Sequence, residues 1–384
     1  MRLSSLRLLS FRAHTATEIS FSERVNVIVG PNGAGKTNLL EAIGYLCLGK
    51  SIFGSNDQHV LRRGHPYFEI EGRFVSSQRG DVTIRLATVP GEGKRAFVNG
   101  VVQERLSSLV GRVPFVLLSP ADYELTAGGP SERRRFLDAT LSQSYPVYLD
   151  DLLKYRRAVK QTNALLLHAR RRRLPSDPTL DAWREEVALL GSRIMERRDR
   201  FVAELVPFVE EAYRLLGEPG SELGVVYNPS VSYTDHDFHQ LLRSEQERTL
   251  RRSLDLGRLL VGPHLDEVDF TIGGFDVRPF ASQGQHRTFS LALRIAQALF
   301  LKERLEEDPL LLLDDVFGPL DPDRTKSVLD LLVSGAIGQS LVTAARREPF
   351  EGLVPFDTAA HSVFHVEHGE VQTPPHLTPP DTDA

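Results

Sequence analysis

Eight residues, Gly30-Pro31-Asn32-Gly33-Ala34-Gly35-Lys36-Thr37, stand between an apolar run, Val25 to Val29, and the start of a helical pattern. Their types suit the holding of a nucleoside triphosphate. The glycines let successive backbone N–H groups turn inward at a helix N-terminus, where the dipole also favours an anion. Lys36 is then placed to reach the β- and γ-phosphates, and the Thr37 hydroxyl to ligate Mg²⁺. ATP or GTP is the nucleotide this pattern points to.

Two further segments could complete such a site. Leu310-Leu311-Leu312-Leu313-Asp314-Asp315 has the form of a buried parallel strand that delivers carboxylates to its carboxyl edge. Asp314 is the candidate for holding Mg²⁺. Asp315 is the candidate for polarising the attacking water, which makes it, with Lys36, the expected catalytic group. Alone, the run reads equally well as a core strand ending in solvent. Ser282-Gln283-Gly284-Gln285 precedes "HRTFSLALRIAQALFLKERL", a strongly amphipathic helix, so a Ser and a Gly at its N-terminus offer a second anion site. Alone, that segment reads as a loop.

The elements that must position these groups follow from periodicity. Residues 3 to 29 alternate apolar and polar around short runs, which predicts a small antiparallel unit feeding the strand before the phosphate loop. A helix is expected from Lys36 to Leu48. "FEIEGRFV", "DVTIRLATV" and "RAFVNGVV" predict a β-meander from Tyr67 to Val102, with turns at Gly80, Gly91, Gly93 and Asn99-Gly100. From Ser131 to about Arg214 the pattern is long, charged and helical, broken by Pro175-Ser176-Asp177-Pro178 into a hairpin. The tail from Thr373 is rich in Pro and Thr, a composition that does not build a core.

Bulk properties set outer limits. At 384 residues the chain exceeds one ordinary core, and 41% apolar with 25% charged residues is a globular composition. No apolar run approaches the roughly 20 residues a bilayer crossing needs, so a cytoplasmic protein without a membrane segment is expected. Cys47 is the single cysteine, which excludes disulfides and cysteine-built metal sites within the chain; burial in the first helix is its expected role. A net charge of −5 argues against binding nucleic acid with the whole surface and leaves room for a local basic patch.

In this order, phosphate loop, "SQGQ" before a helix, "LLLLDD", then Pro319-Leu320-Asp321, the pieces resemble the ATP-binding-cassette head. The resemblance implies an α/β, two-lobed ATPase head, a mixed sheet with the phosphate loop plus the β-meander, into which a helical arm is inserted. It places the head in residues 1–130 and 255–372, the arm in 131–254 and a disordered tail in 373–384. In that superfamily the signature loop reaches the nucleotide of a second chain. An ATP-dependent homodimer with two ATP molecules in an isologous interface is thereby implied. Ser282 and Gly284, with Gln285, would contact the γ-phosphate in trans, and Asp321 would lie at the same junction.

The insertion between Thr37 and Ser282 is longer than a transporter subunit's compact insert and far shorter than a condensin-type coiled coil, and there is no Cys-x-x-Cys hook. With "SPADYELTAGGPSERRRFLD", "GPHLDEVDF", "SQGQHRT" and "LLLLDDVFGPLD", the chain resembles the RecF family of bacterial recombination mediators over nearly its whole length. That resemblance adds Arg12 to the nucleotide contacts. It implies double-stranded DNA and gap junctions as ligands, and RecR, RecO and RecA as partners in recombinational repair. The chain departs from the family's usual residues at Leu265 and Ser10. It also has Asp315 where many transporter heads carry Glu, one methylene longer, and no switch histidine in "LVTAARR". Slow hydrolysis is the expectation, because a general base must lie within about 2.6 to 3.2 Å of its proton or act through a water.

Arg170-Arg171-Arg172-Arg173 ends the first long helical stretch and is the candidate DNA contact. It reads equally well as a solvated helix end that complements the dipole. Arg133-Arg134-Arg135 could serve fold or nucleotide sensing. No base-reading motif is present, so contact would run through phosphates and duplex shape. Two other readings stay open: a transport ATPase subunit, and a nucleotide-gated scaffold without a DNA role.

Overall fold

The computed structural model describes the chain except residues 77, 79, 173–177, 218–221, 232–236, 319, 375, 376 and 378–384, and describes only the backbone of Arg172 and Pro178. The chain divides into two compact units. Unit 1 holds Met1–Asp122, Glu211–Pro219 and Leu291–Ala384; unit 2 holds Tyr123–Glu210 and Gly220–Ser290.

Unit 1 is built around one helix between two sheets. The first sheet runs β2-β1-β4-β5-β6-β7, from β1 (Arg2–Phe11), β2 (His14–Ser20), β4 (Phe68–Val75), β5 (Val82–Val89), β6 (Gly93–Val98) and β7 (Val101–Val102). The second runs β15-β14-β3-β13-β12-β8, from β3 (Val25–Val29), β8 (Phe115–Leu118), β12 (Leu310–Asp314), β13 (Ser340–Ala344), β14 (His361–Glu367) and β15 (Glu370–Gln372). Its four pairings from β14 to β8 are parallel, and β3 and β13 are buried at every residue, as strands covered on both faces are. Helix α1 (Lys36–Leu48) lies in the shared core. Leu39, Leu40, Ile43, Tyr45, Leu46 and Cys47 are all fully buried, and burial pushes the Cys47 thiol pKa well up. A helix apolar on all sides is stable only when enclosed in this way. The short α2 (Asp57–Val60) follows, and α11 (Pro322–Ser334) stands between β12 and β13.

The antiparallel unit expected over residues 3 to 29 proves to be part of something larger. β1 pairs β2 on one edge and β4 on the other, so hairpin and meander form one sheet, while β3 belongs to the other. A bulge between Leu3 and Ser5 makes this work, because Leu3 and Leu6 are three residues apart and only an extra residue returns both to the core face.

Unit 2 contains α3 (Tyr123–Ala127), α4 (Pro130–Ser144), α5 (Pro146–Arg172) and most of α6 (Pro178–Leu215), then α7 (Phe238–Arg248), α8 (Leu250–Leu256) and α9 (Val277–Phe280). A three-stranded sheet, β11-β10-β9, is formed by β9 (Leu223–Asn228), β10 (Glu267–Ile272) and β11 (Phe275–Asp276). Helix α10 (Gln283–Leu305) has residues in both units. The turn at 173–177, expected to break the helical hairpin, lies outside the described residues, as does most of the tail. Leu377 is half-buried against the core of unit 1. Among the described residues no helix is long and apolar enough to cross a membrane.

The interior of unit 2 is pinned by charge. Arg198, on α6, is buried and donates to Asp138 Oδ1 at 2.8 Å, Asp266 Oδ2 at 3.2 Å and the Pro263 carbonyl at 2.6 Å. The Tyr148 hydroxyl adds a 2.6 Å bond to Asp138, and the Tyr227 hydroxyl donates to Asp266. Such a network is costly to break from one side, since the partners stay buried and unpaired. Arg198→Met is expected to lower unfolding stability by about 3–5 kcal/mol, read as a shift in the urea midpoint of the transition that reports unit 2.

Candidate nucleotide-binding site

The phosphate loop is placed by the packing just described. β3 delivers Gly30 to the sheet edge, and a Cβ there would come 2.1 Å from the Val366 carbonyl oxygen of β14, so only glycine lets the loop leave. Gly33 and Gly35 take φ of 81° and 112°, backbone that residues with a side chain rarely adopt. No side chain caps α1. Its N-terminus is open to an anion, the opposite of an ordinary helix start. Pro31, Asn32 and Gly33 are exposed and Ala34 to Lys36 buried.

Lys36 Nζ donates to the carbonyls of Gly30 at 2.8 Å and Pro31 at 3.0 Å. Burial lowers its pKa, while Asp315 and Asp314 pull the other way. Thr37 Oγ1 donates to Asp314 Oδ1 at 2.8 Å, which joins the phosphate loop to the end of β12. A hydroxyl and a carboxylate oxygen side by side are the hard donors Mg²⁺ takes. Among the described residues no cluster of three or more His, Cys, Asp or Glu is built to hold a metal, so such an ion would fill its remaining positions from phosphate and water. The donor set fits Mg²⁺.

Asp315 follows with φ of 50°, a left-handed backbone held because its N–H meets the Thr343 carbonyl at 3.3 Å and hydroxyl at 3.1 Å. The same hydroxyl donates to Asp314 Oδ1 at 2.7 Å. Thr343 sits opposite Asp314 in the parallel β12–β13 register. It thus aims the Asp314 carboxylate and holds the Asp315 backbone, and nothing in "LVTAARR" marks it before strand pairing is known. His14 is a second residue of this kind. It is buried on β2, with Nε2 3.1 Å from the Gly35 carbonyl and Nδ1 3.1 Å from Thr17 Oγ1, and burial lowers its pKa so that a neutral ring braces the loop.

The remaining expected contacts fall into three places. Arg12 lies in unit 1, but its guanidinium is engaged with Glu41 of α1 at 2.8 and 2.9 Å, with Ser55 Oγ at 2.6 Å and with the His59 carbonyl. Asp321, also in unit 1, caps α11 by accepting the Arg324 N–H at 3.0 Å; that bond, with the Arg324 side chain, lowers its pKa. Pro319 is outside the described residues. Ser282, Gly284 and Gln285 are in unit 2. There Ser282 Oγ accepts the Gln285 N–H at 3.3 Å and Gln285 Oε1 accepts the Ser282 N–H at 2.8 Å, a capping box that occupies Gln285's side chain. The turn is fully exposed, and it is anchored below by buried His286, whose Nδ1 is 3.0 Å from Thr126 Oγ1. Arg170 and Arg171 are exposed at the end of α5, without a salt bridge among the described residues; Arg173 lies outside them.

Comparison with known proteins places the chain in a family. A family profile described as the RecF/RecN/SMC N terminal domain matches residues 2–372. A DNA replication and repair protein RecF from Salinibacter ruber is 46% identical over 374 residues, 96% of this chain and 91% of its own. One from Chloroherpeton thalassium is 39% identical, over 91% of this chain and 96% of its own. The chain belongs to the RecF family. A solved RecF–ATP structure, of a recombination mediator in the RecFOR pathway, superposes with a TM-score of 0.87 at 30% identity over 96% of each chain. The Smc head domain from Pyrococcus furiosus shares the fold alone, at a TM-score of 0.56 and 18% identity over 96% of this chain and 95% of that one. The architecture is therefore that of an ABC-type ATPase head of the RecF and Smc kind.

In this RecF-family site, aim depends on hydroxyls that touch only carboxylate and backbone. Thr343→Val keeps the shape and removes the hydroxyl that orients the Asp314 carboxylate and accepts the Asp315 N–H. Loss of an orienting partner behind a metal ligand costs about 10–100-fold in metal affinity. Mg²⁺-dependent nucleotide binding, titrated by fluorescence, should weaken by that order, with magnesium-free binding little changed.

Proposed function

We propose that this chain is an ATP-dependent, dimerising DNA-binding protein of recombinational repair that works in the cytoplasm. ATP closes a homodimer on double-stranded DNA or at gap junctions, where it assists RecA loading with RecR and RecO. The observation that carries the reading is the presence of two complementary half-sites, one in each unit. The Thr37–Asp314 pair and the glycine cradle stand in unit 1, and a fully exposed capped turn with Ser282 and Gly284 opens α10 in unit 2. A γ-phosphate held by the first is suited to the positive end of the second when a second copy supplies it. The names of the relatives, DNA replication and repair protein RecF, and the ATP-bound RecF of the RecFOR pathway support the same reading.

The chemistry assigned to each residue follows from its position. Lys36 leaves the Gly30 and Pro31 carbonyls to meet the β- and γ-phosphates. Thr37 and Asp314 hold the cation, which when bound neutralises charge on the phosphate oxygens. Asp315 orients the attacking water, and its backbone is fixed by Thr343 while its side chain is short. Hydrolysis is accordingly slow and serves to open the dimer rather than to drive motion. Because ATP would contact both copies, it shifts the association equilibrium by its differential affinity for dimer over monomer. Arg170 to Arg173 then give the arm a phosphate contact without base readout.

Light scattering with ATP, ADP or no nucleotide tests this directly. The wild-type chain should double its mass only with ATP. Ser282→Arg should bind ATP as a monomer with near-normal affinity and fail to dimerise. Lys36→Met should lose charge-assisted contacts of about 1.5–3 kcal/mol, roughly 10–100-fold in affinity, and with them the dimer. A Ser282→Arg monomer unable to bind ATP would refute assignment of the turn to a second copy.

A further inference from the structure

Unit 2 carries a pocket of about 210 Å³ on the flank of α4, lined by none of the residues assigned to the nucleotide half-sites. Its floor is made of groups that satisfy one another. Arg198 is neutralised by Asp138 and Asp266, and the Tyr155 hydroxyl shares a 2.6 Å hydrogen bond with His264 Nδ1. Burial, with Arg134 and Arg198 nearby, lowers the His264 pKa to about 4, so this ring is neutral.

The rim is different. Arg156, from α5, shares with Arg198 the single charge of Asp138, at 3.1 Å, and its side chain is 59% exposed. Among the described residues Arg135 meets only its helix neighbour Glu132. Arg134 is half-buried and donates to the Asp266 carbonyl at 2.6 Å; among the described residues no carboxylate lies within 4.0 Å of it. Burial and then the like charge of Arg198 both press its pKa down. With Arg133, which pairs with Glu267 beside Arg134, five guanidiniums thus stand against the four carboxylates of Glu132, Asp138, Asp266 and Glu267, and the surplus positive charge resides at the pocket mouth. Ser131 adds a neutral hydroxyl to the lining.

We propose that this pocket seats one phosphodiester of a DNA backbone, with Arg134 and Arg156 as its principal ligands. A guanidinium fork matches a phosphate's paired oxygens, and one singly charged phosphodiester balances the surplus. No exposed aromatic face lines the pocket to stack a base, so the backbone and not a nucleobase is what it fits. α5 shows where the duplex would run. Lys160 and Arg170 follow Arg156 by four and fourteen residues, each within about 40° of it on opposite sides around the helix and about 21 Å from first to last along it, and all three are exposed. One stripe therefore joins the pocket to the arginine cluster.

This rests on the DNA-binding reading above, and the test separates the two. Anisotropy with a fluorescent 30-base-pair duplex, ATP and Mg²⁺ is followed across NaCl concentrations. Arg134→Gln combined with Arg156→Gln should weaken binding and reduce the slope of log affinity against log salt by about 0.9, with ATP affinity unchanged. Arg156→Gln alone, at an exposed position, guards against misfolding and should weaken binding in the same direction. Folded variants with the wild-type slope would overturn the pocket while leaving DNA binding intact elsewhere. A wild-type chain that binds no duplex even at low salt would overturn the backbone assignment together with the reading beneath it. Inorganic phosphate then identifies the other source: a wild-type melting temperature raised over matched chloride, and not raised in Arg134→Gln, would mean a free-phosphate site instead.

Discussion

A helix enclosed by hydrocarbon on every side has one place to present polar groups, its end, and the nucleotide half-site depends on that constraint. α1 is wedged between two sheets, so its N-terminus cannot shift without opening the unit's core. Core cavities cost several kcal/mol, which makes the core a rigid mount. The loop ahead of α1 is squeezed in turn by Val366 against Gly30 and braced by His14 against Gly35. Preorganised N–H groups of this kind bind an anion without first paying to reorganise.

The carboxylates are aimed from the other side by the parallel register of β12 and β13. Because Thr343 lies opposite Asp314, one hydroxyl can serve the carboxylate of one residue and the amide of the next. The left-handed backbone at Asp315 is then over-determined rather than free, in keeping with strain held at working sites. Arg12 illustrates the same economy. Its contacts to Glu41, Ser55 and His59 tie the end of β1 to α1 and α2, which stiffens the phosphate loop's surroundings.

Much of this was legible in the sequence, because the phosphate loop, the acidic strand and the capped turn before α10 are local patterns with local causes. Gly30 to Thr37 needs only its neighbours to be read, and so do the apolar runs of β3 and β12. What could not be read depends on pairing between distant segments. The joining of β1 to β4 rests on a bulge at Ser4, and the role of Thr343 on a register that brings together residues 29 positions apart. The capping box at Ser282 and Gln285 was implicit in "SQGQ", yet only the geometry shows that Gln285 is spent on it. Arg133 likewise turns out to be structural: it is buried and pairs with Glu267 at 2.9 Å through two nitrogens.

On the reading proposed above, the charge balance explains why a nucleotide would be needed for DNA binding. With a net charge of −5, the chain meets a polyanion with overall repulsion, and attraction must come from local surplus. On the reading proposed here, one copy contributes only a few phosphate contacts, and each gives about 0.9 to the salt exponent. Two copies held together double that exponent without any new residue. At physiological salt, affinity that is marginal for a monomer becomes substantial for a dimer, by the arithmetic of linked sites. Any ligand that favours the dimer therefore favours DNA binding. On the same reading DNA would by reciprocity favour retention of that ligand, and slow hydrolysis is what such a device would require, since rapid hydrolysis would dissolve the dimer before a duplex was found.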